Sequence, residues 1–469
     1  MDTLPDRLHT TSLAASPSPS SPGPSLQHLA DLTPPAQDRT WATAAHPRLP
    51  LVATAAADKS VRVYSLVNFA LLSTISGGHK RAVRACAWKP TAAKPGSDVV
   101  LATASFDATV GVWRYDGEDK DGDGDGDGDG EEEWGFAVVL DGHENEVKGV
   151  AWSAAGQLLA TCSRDKTVWI WEDLEDGENN FETVAVLQEH SGDVKSVAWH
   201  PDQDCLASGS YDDTLRVWRE DVDDWGQVAC LRGHEGTVWG VEWEGRTGTP
   251  ADGDELDIKG VTVPADPAPA SSALEPSGTS PTPPFPPALR RRWLHHRARC
   301  GPRLASCSAD TTVRIWRRQP PASRPAASSL STIRAASLDE TWAQEHQLPA
   351  VHALAVHAVA WSRTTGLLAS AGADGRVVVY RERFVGMEAE GDEEAVPRTV
   401  WEVLARVDEA HGVYEVNHVC WARRADRRSA RRKGVFEERT AEEEEQQEEE
   451  EVLLSTGDDG VVKVWRIQW

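Results

Sequence analysis

The sequence predicts an all-β protein, a seven-bladed β-propeller with four antiparallel strands in each blade. Three observations predict this fold. A hairpin pattern occurs seven times, a His element precedes it six times, and Trp is used 20 times against 7 Phe and 5 Tyr. The chain of 469 residues is long for one domain. Every blade adds one unit to the same ring, however, so stacked repeats account for the length.

The hairpin is the first recurring element. Seven short strands rich in β-branched residues end in an aromatic residue, and an Asp lies six residues before each aromatic. Because Asp accepts hydrogen bonds from backbone N–H groups in turns, each copy predicts two strands joined by a turn at the Asp. The Asp residues are Asp58, Asp107, Asp165, Asp212, Asp310, Asp374 and Asp459, and the aromatic residues are Tyr64, Trp113, Trp171, Trp218, Trp316, Tyr380 and Trp465.

The second recurring element is a His that precedes a strand ending in Trp. The segment between them, such as HENEVKGVAW, places apolar residues at alternate positions, which predicts a half-buried strand. The Trp follows the His by nine residues in five copies and by ten in the sixth, and in three blades the His lies 22 residues before the Asp. The six His residues are His79, His143, His190, His234, His352 and His411.

Together the two elements resemble the WD-repeat signature: Gly-His, about 22 or more residues to an Asp, and six more to a Trp. In WD-repeat blades the His, the Asp, a Ser or Thr and the Trp are typically hydrogen-bonded to one another. The resemblance therefore implies that the six His and seven Asp residues are structural, and not ligands or catalytic groups.

The two ends of the chain predict how the ring closes. The first blade has no His element, and Ala45 stands where the other blades have Trp. The chain stops just after the third strand of the last blade, so we expect residues 25–32 to supply its outer strand and remove a free sheet edge. The predicted organisation is a disordered extension over residues 1–24 and a propeller over 25–469.

Biased segments interrupt the blades at about 116–133, 246–290, 317–341 and 422–451, and their composition predicts disordered loops. Asp121, Asp123, Asp125, Gly126 and Glu132 match the spacing of an EF-hand calcium loop. An Asp-Gly run produces that match trivially, and its flanks are predicted strands, so we interpret it as a solvated loop. The basic run 422–433 is likewise interpreted as a charged loop, with nuclear import as the alternative.

Charge and cysteine content exclude several classes of function. The net charge of −27 argues against binding nucleic acid or an anionic membrane, and no apolar run of about 18 residues predicts a transmembrane helix. The seven Cys residues include no C-x-x-C pair, so neither a disulfide framework nor a zinc site is predicted. The cytoplasm, with the nucleus as a second compartment, fits best.

No nucleophile elbow, P-loop, H-E-x-x-H or dinucleotide fingerprint occurs. We therefore predict a binding platform that is not an enzyme and holds no cofactor. The alternatives that remain open are a metalloprotein and a different WD-repeat adaptor, such as a ubiquitin-ligase substrate receptor or a chromatin scaffold.

Three segments outside the general repeat pattern resemble one family. HENEVKGVAW, CSRDKTVWIWE and AHGVYEVN are similar to segments of the cytosolic iron–sulfur assembly protein 1 family, over roughly 78–243 and 350–465. The resemblance implies a scaffold that acts late in transferring iron–sulfur clusters to cytosolic and nuclear apo-proteins. Its implied partners are a HEAT-repeat adaptor, a small metal–sulfur assembly-domain protein, an iron-only-hydrogenase-like cluster carrier and the client proteins. The insertions depart from the compact family pattern.

Two residues are candidates for partner binding. Arg164 lies in CSRDK, directly before Asp165, where other blades carry Phe, Tyr or Ala, and it matches a functional Arg of the family. There it could pair with a partner carboxylate through two parallel hydrogen bonds. The alternative is an ion pair with an acidic neighbour in the same chain. Tyr211 occupies the matching place in the next blade and is the second interface candidate.

Overall fold

The computed structural model describes residues 23–90, 99–115, 134–221, 224–245, 297, 300–319, 340–388, 396–424 and 450–469. Its 28 strands form seven four-stranded antiparallel sheets, which confirms the predicted propeller. Within each blade, neighbouring strands in sequence pair with one another. The first strands of adjacent blades also contact each other around the ring, and they surround a central channel.

The strand bounds follow the order of the chain. Blade 1 contains β2 (Thr40–Ala45), β3 (Leu51–Ala56), β4 (Val61–Ser65) and β5 (Leu71–Ile75); blade 2 contains β6 (Val83–Trp88), β7 (Val99–Ser105), β8 (Thr109–Tyr115) and β9 (Trp134–Asp141). Blade 3 contains β10 (Val147–Trp152), β11 (Leu158–Ser163), β12 (Val168–Asp173) and β13 (Phe181–Leu187); blade 4 contains β14 (Val194–Trp199), β15 (Cys205–Ser210), β16 (Thr214–Asp221) and β17 (Asp224–Arg232). Blade 5 contains β18 (Val238–Trp243), β19 (Leu304–Ser308), β20 (Val313–Arg318) and β21 (Trp342–Gln347); blade 6 contains β22 (Val356–Trp361), β23 (Leu368–Gly372), β24 (Val377–Glu388) and β25 (Val396–Val407). Blade 7 contains β26 (Val416–Arg424), β27 (Glu450–Gly457), β28 (Val462–Gln468) and β1 (Ser25–Asp31).

The ring closes as predicted, because β1 is the outer strand of blade 7. It pairs antiparallel with β28 from Ser25 opposite Gln468 to Asp31 opposite Lys463. Leu32 follows β1 and is fully buried between blades 7 and 1. The N-terminal strand therefore ties the last blade to the first.

The hydrophobic core lies between adjacent blades. One cluster joins Leu51 and Val63 of blade 1 to Trp88 and Leu101 of blade 2, and comparable clusters join other neighbouring blades. Alternation along the strands places these side chains between sheets, since successive residues point to opposite faces. Ala45 pairs with Val52 just as Trp88 pairs with Leu101, so it occupies the Trp slot of blade 1.

Antiparallel pairing gives the ring two distinct faces. The Asp turns (second to third strand) and the His elements (fourth strand to the next blade) open on one face, which we call the His–Asp face. Every connection on this face lies within the described residues. The described strand ends that flank each internal gap belong to a first and a second strand or to a third and a fourth, and these ends lie on the opposite face.

The structure corrects the ends of two predicted insertions. The predicted segment 317–341 overlaps the last two residues of β20, and 422–451 overlaps the end of β26 and the start of β27. Charged residues continue pairing there, as Arg424 lies opposite Glu450 with a 3.3 Å ion pair. Composition marks such residues as loop, although cross-strand charge pairs stabilise them as strand. The segment 121–132, which matches a calcium loop in spacing and which we interpret as a solvated loop, and residues 1–22 of the predicted extension 1–24 lie outside the described residues.

None of the seven Cys residues, all of which lie in the described part of the chain, is in a disulfide, and they belong to five different blades. Among the described residues, no group of three or more His, Cys, Asp or Glu side chains could hold a metal ion. No helix in this part of the chain is long and apolar enough to cross a membrane.

Candidate protein-binding face

The repeat His and Asp residues form buried hydrogen-bonded sets inside their blades. In blade 3, His143 Nδ1 lies 2.8 Å from Asp165 Oδ2, His143 Nε2 lies 2.8 Å from Thr161 Oγ1, and Trp171 Nε1 donates to the same hydroxyl at 3.0 Å. Although burial raises the pKa of Asp165, the hydrogen bonds from His143 and Thr167 hold that pKa well below its usual range. Five further blades pair His79 with Asp107, His190 with Asp212, His234 with Asp310, His352 with Asp374 and His411 with Asp459.

The side chains of these six His residues are at most 3% exposed, so they stabilise the blades and do not reach the surface. Blade 1 has no repeat His, and an Arg pairs with its turn Asp instead. Arg62 Nη2 donates to Asp58 Oδ2 at 2.7 Å, and Ser60 donates to the other carboxylate oxygen at 2.6 Å. The sequence did not predict this replacement.

Arg164 lies at the Asp turn of blade 3, on the His–Asp face, and its side chain is 54% exposed. Its guanidinium lies 3.6 Å from Glu146 and 3.9 Å from Asp193. Both distances exceed a hydrogen bond, so the local ion pairs weighed as the alternative exist but are loose. The guanidinium donors remain directed toward solvent, where a partner carboxylate could accept from them.

Tyr211 is 63% exposed at the matching turn of blade 4. Its backbone N–H donates to the Asp193 carbonyl at 2.8 Å, and Lys195 Nζ lies 5.6 Å from the centre of its ring. Because Asp193 also faces Arg164, the structure brings the two sequence candidates to the same edge between blades 3 and 4. An exposed aromatic beside an Arg is the composition favoured at binding hot spots.

Basic side chains that the sequence analysis missed surround the two candidates. Glu146 accepts from Lys148 at 2.6 Å and from Arg81 at 2.9 Å, with Arg164 as a third cation nearby. One carboxylate shared by three cations leaves this edge positively charged. We call the group Arg81, Arg84, Lys148, Arg164 and Lys195 the cationic arc; it spans blades 2 to 4 of a chain whose net charge is −27.

A β-bulge in each blade positions part of this arc. Strand pairing skips one residue near the start of every first strand, as between Val147 and Gly149 in β10. Bulges redirect a side chain, and here the skipped residues form a ring at the channel mouth: Trp41, Arg84, Lys148, Lys195, Trp239, His357 and Asn417. The sequence carries a signal for six of them, since they are the fifth residue after the repeat His, or the sixth after His411; Trp41 belongs to blade 1, which has no repeat His.

Glu242 lies further along the channel wall, on β18, between Val241 and Trp243, which both belong to the hydrophobic core. Among the described residues, its carboxylate has no hydrogen-bond or ion-pair partner. Burial raises the pKa of Glu242 to about 7, against a small opposing influence of Arg363. A carboxylate there costs folding free energy whenever it is ionised.

We expect Glu242→Gln to stabilise the protein at alkaline pH. A raised folded-state pKa means that wild-type stability is full below about pH 4.5 and falls as the pH rises through 7. The variant should therefore gain about 3 kcal/mol of unfolding free energy at pH 8 and almost none at pH 4. Urea denaturation at both pH values measures this, with exposed Glu144→Gln as the control; equal effects of Glu242→Gln at the two pH values would contradict it.

Comparison with known proteins finds a matching repeat family and several relatives that share one name. The family model "WD domain, G-beta repeat" matches residues 70–114, 135–172, 181–219, 298–317 and 345–381. The chain is 58% identical to "Probable cytosolic iron-sulfur protein assembly protein 1" of Coccidioides immitis, covering 96% of this chain and 99% of that protein. Proteins of the same name from Emericella nidulans and Penicillium rubens are 53% and 51% identical, covering 96% and 95% of this chain and 98% and 99% of theirs. The insertions thus do not prevent nearly full-length similarity.

Proposed function

Because the chain belongs to the cytosolic iron–sulfur protein assembly protein 1 family, we propose that it is a non-catalytic scaffold of iron–sulfur protein assembly in the cytosol. In this proposal it works at the late, targeting step and brings clusters to apo-proteins. Its partners are a HEAT-repeat adaptor, a small metal–sulfur assembly-domain protein, an iron-only-hydrogenase-like carrier and the clients. The chain organises the transfer and does not itself hold the cluster, since its cysteines are spread over five blades.

The observation that carries this proposal is the cationic arc on a face whose connections are all short and ordered. Arg164, a member of the arc, and Tyr211, next to it, are exposed. A face with concentrated positive charge on an acidic protein favours an acidic partner surface, because complementary charge speeds encounter and fixes orientation. Loosely paired Arg and exposed Tyr side chains supply the anchors.

The test is affinity capture of the full chain from fungal cytosol, with bound proteins identified by mass spectrometry. We expect the HEAT-repeat and assembly-domain proteins to be recovered. Recovery of cullin-linker or histone proteins in their place would favour a different WD-repeat adaptor. Stoichiometric iron and sulfide in the purified protein would contradict a scaffold that holds no cluster.

Arg164→Glu is expected to reduce recovery of the partner that meets this face by about tenfold or more, since it replaces a charge-assisted pair with repulsion. The melting temperature should not change, because substitutions at exposed sites alter stability by about 0.5 kcal/mol or less. Arg406→Glu is the matched control, at equal 54% exposure near the end of β25, where the chain reaches the same face. Undiminished capture by Arg164→Glu would refute the interface role.

A further inference from the structure

Arg84 is the bulge residue of β6 and reaches into the channel mouth. Its Cζ lies 5.3 Å from the centre of the Trp41 ring, and Nη1 donates to the Trp41 carbonyl at 3.4 Å. Within the described residues, no carboxylate lies within ion-pair distance of this guanidinium. It therefore has one hydrogen-bond acceptor for five N–H donors.

Its neighbours differ in this respect. Lys148 Nζ lies 2.6 Å from Glu146, Lys195 Nζ lies 3.2 Å from Asp193, and Arg39, which also stacks on Trp41, lies 3.4 Å from Asp458. Each of these cations has a carboxylate oxygen within 3.4 Å, although Glu146 and Asp193 are shared with other cations, whereas Arg84 has no such carboxylate among the described residues. A half-buried charge without a partner costs free energy, which a bound anion would recover.

Lys148 adds to the positive potential around Arg84. Burial is the main cause that lowers the pKa of Lys148 in blade 3, of His357 in blade 6 and of His418 in blade 7, and the charge of Arg84 contributes, so all three side chains lie close enough to sense it. The lowered pKa values leave the two His side chains neutral near pH 7. Two carboxylates lie near the mouth toward blade 7: Asp458 accepts from the bulge residue Asn417 at 2.9 Å, and Glu415, which is 53% exposed, lies 4.0 Å from His357.

The small residues beneath this ring let neighbouring first strands approach closely. The residue that follows the bulge is small in six of the seven blades and is a His in blade 7. These residues are Ala42, Ala85, Gly149, Ser196, Gly240, Ala358 and His418. A Cβ placed on Gly149 would lie 2.9 Å from Cys162 Sγ and 3.6 Å from Ser196 Cα, so this position faces the adjacent blade. The close approach holds Arg84, Lys148 and Lys195, on three successive first strands, near one another.

We propose that the channel mouth on the His–Asp face binds a small tetrahedral oxyanion of the sulfate or phosphate class, with Arg84 as its principal ligand. The guanidinium donates two parallel hydrogen bonds to the anion, as its planar geometry favours. Lys148 and Lys195, from the next two blades, contribute charge while they keep their own carboxylates. Arg84, Lys148 and Lys195 also belong to the cationic arc, but the exposed Arg164 is not part of this site. Sulfate titration of the chain alone therefore tests the site separately from partner capture.

Isothermal titration of the full chain with sodium sulfate, at ionic strength held constant with sodium chloride, tests the proposal. We expect saturable binding at one site. Arg84→Met, which keeps the aliphatic stem but removes the charge, should weaken sulfate binding about tenfold or more, the effect of losing a hydrogen bond to a charged group. Arg39→Met is the matched control, since Arg39 contacts the same indole but has a carboxylate partner, and it should bind as wild type does.

Sulfate also stabilises proteins by exclusion from their surface, so it can raise the melting temperature of all three proteins without binding to them. Titration that shows no saturable site would overturn the proposal, even if all three melting temperatures rise. Equal sulfate affinity of Arg84→Met and wild type would overturn it as well, as would binding of acetate without binding of sulfate. Should Arg84→Met fail to fold, Arg84→Lys gives the same test: a compact ammonium should retain weaker binding, and unchanged affinity would refute bidentate recognition.

Discussion

Replacing Arg303 by Met is expected to lower the free energy of unfolding by about 3–5 kcal/mol, because it leaves the buried Glu382 carboxylate without its hydrogen-bonded counter-charge, whereas Glu244 and Glu345 keep Arg297 and Arg317. Arg303 is 1% exposed, just before β19 of blade 5. It donates to Glu382 at 2.6 and 2.8 Å and to Glu244 at 2.9 and 3.0 Å, and its Nη1 lies 3.3 Å from Glu345. Met fills a similar length of side chain, so the loss measures charge and hydrogen bonding more than volume.

This network joins two blades. Glu244 and Glu345 belong to blade 5, whereas Glu382 lies on β24 of blade 6. The guanidinium also lies 5.1 Å from the Trp361 ring and 5.8 Å from the Trp401 ring, both in blade 6. Cation–π contacts strengthen when they are desolvated, so Arg303 fastens the blade 5–6 boundary through both charge and aromatic packing.

The effect of Arg303→Met should depend on pH with a defined sign. Burial alone would raise the pKa of Glu382, but the charge and hydrogen bonds of Arg303 hold that pKa well below its usual range. In wild type, that depressed pKa contributes stability that is full above the unfolded-state value of about 4.5 and is lost as the pH falls through the folded-state pKa, so most of it remains at pH 4. In Arg303→Met, burial raises the pKa of Glu382, so its ionised form costs stability at pH 7 and the carboxyl is protonated at little cost at pH 4. The difference between wild type and variant should therefore be larger at pH 7 than at pH 4.

Urea denaturation at pH 7 and pH 4 measures the difference in unfolding free energy between wild type and Arg303→Met. Arg406→Met, on an Arg whose side chain is 54% exposed and whose partner Asp408 lies 3.5 Å away, is the control and should change stability by about 0.5 kcal/mol or less. If Arg303→Met behaves like this control at pH 7, the network contributes no net stability. If its effect is the same at pH 4, the loss comes from packing and not from charge.

The sequence predicted the blades because their signals are local. Asp212 and Trp218 lie within one hairpin, and His190 precedes Asp212 by 22 residues, a distance that three blades share, so the spacing indicates the hydrogen-bonded set. Arg164 was found in the same way, as an unusual residue at a repeated position. Where a pattern repeats, a departure from it is visible without a structure.

The Arg303 network could not be found from the sequence because its members follow no repeat. Glu345, Glu244 and Glu382 lie 42, 59 and 79 residues from Arg303, and segments outside the described residues separate some of them. The seven bulge residues at the channel mouth are an intermediate case, since the sequence indicates part of their arrangement. Its residues occupy a repeated position, but they differ so much in type that only the strand pairing reveals that Arg84 points into the channel.

The strand that closes the ring supports the second large effect. Removing residues 1–32 deletes β1 and Leu32, and we expect it to abolish the cooperative transition of the intact ring or to produce oligomers. Leu32 is 1% exposed, and the loss of one such side chain costs about 2–5 kcal/mol. The deletion also removes the Leu32 N–H bond to the Val462 carbonyl at 2.9 Å and uncovers the β28 edge, which then becomes available to pair with another chain.

Removal of residues 1–22 alone is the matched control, because it shortens the chain but leaves β1 in place. It should melt within about 2 °C of the full chain, as expected for a change of about 0.5 kcal/mol or less in a protein of this size. A synthetic peptide of residues 23–33 added to the longer deletion should restore monomers and raise the melting temperature, since it can occupy the open edge. If the protein lacking residues 1–32 remains monomeric and melts like the control, β1 is not required for ring closure, and the remaining 27 strands hold the ring closed without it. Leu32→Ala then separates the two contributions of the segment: it keeps the β1–β28 ladder and removes only the apolar contact between blades 7 and 1.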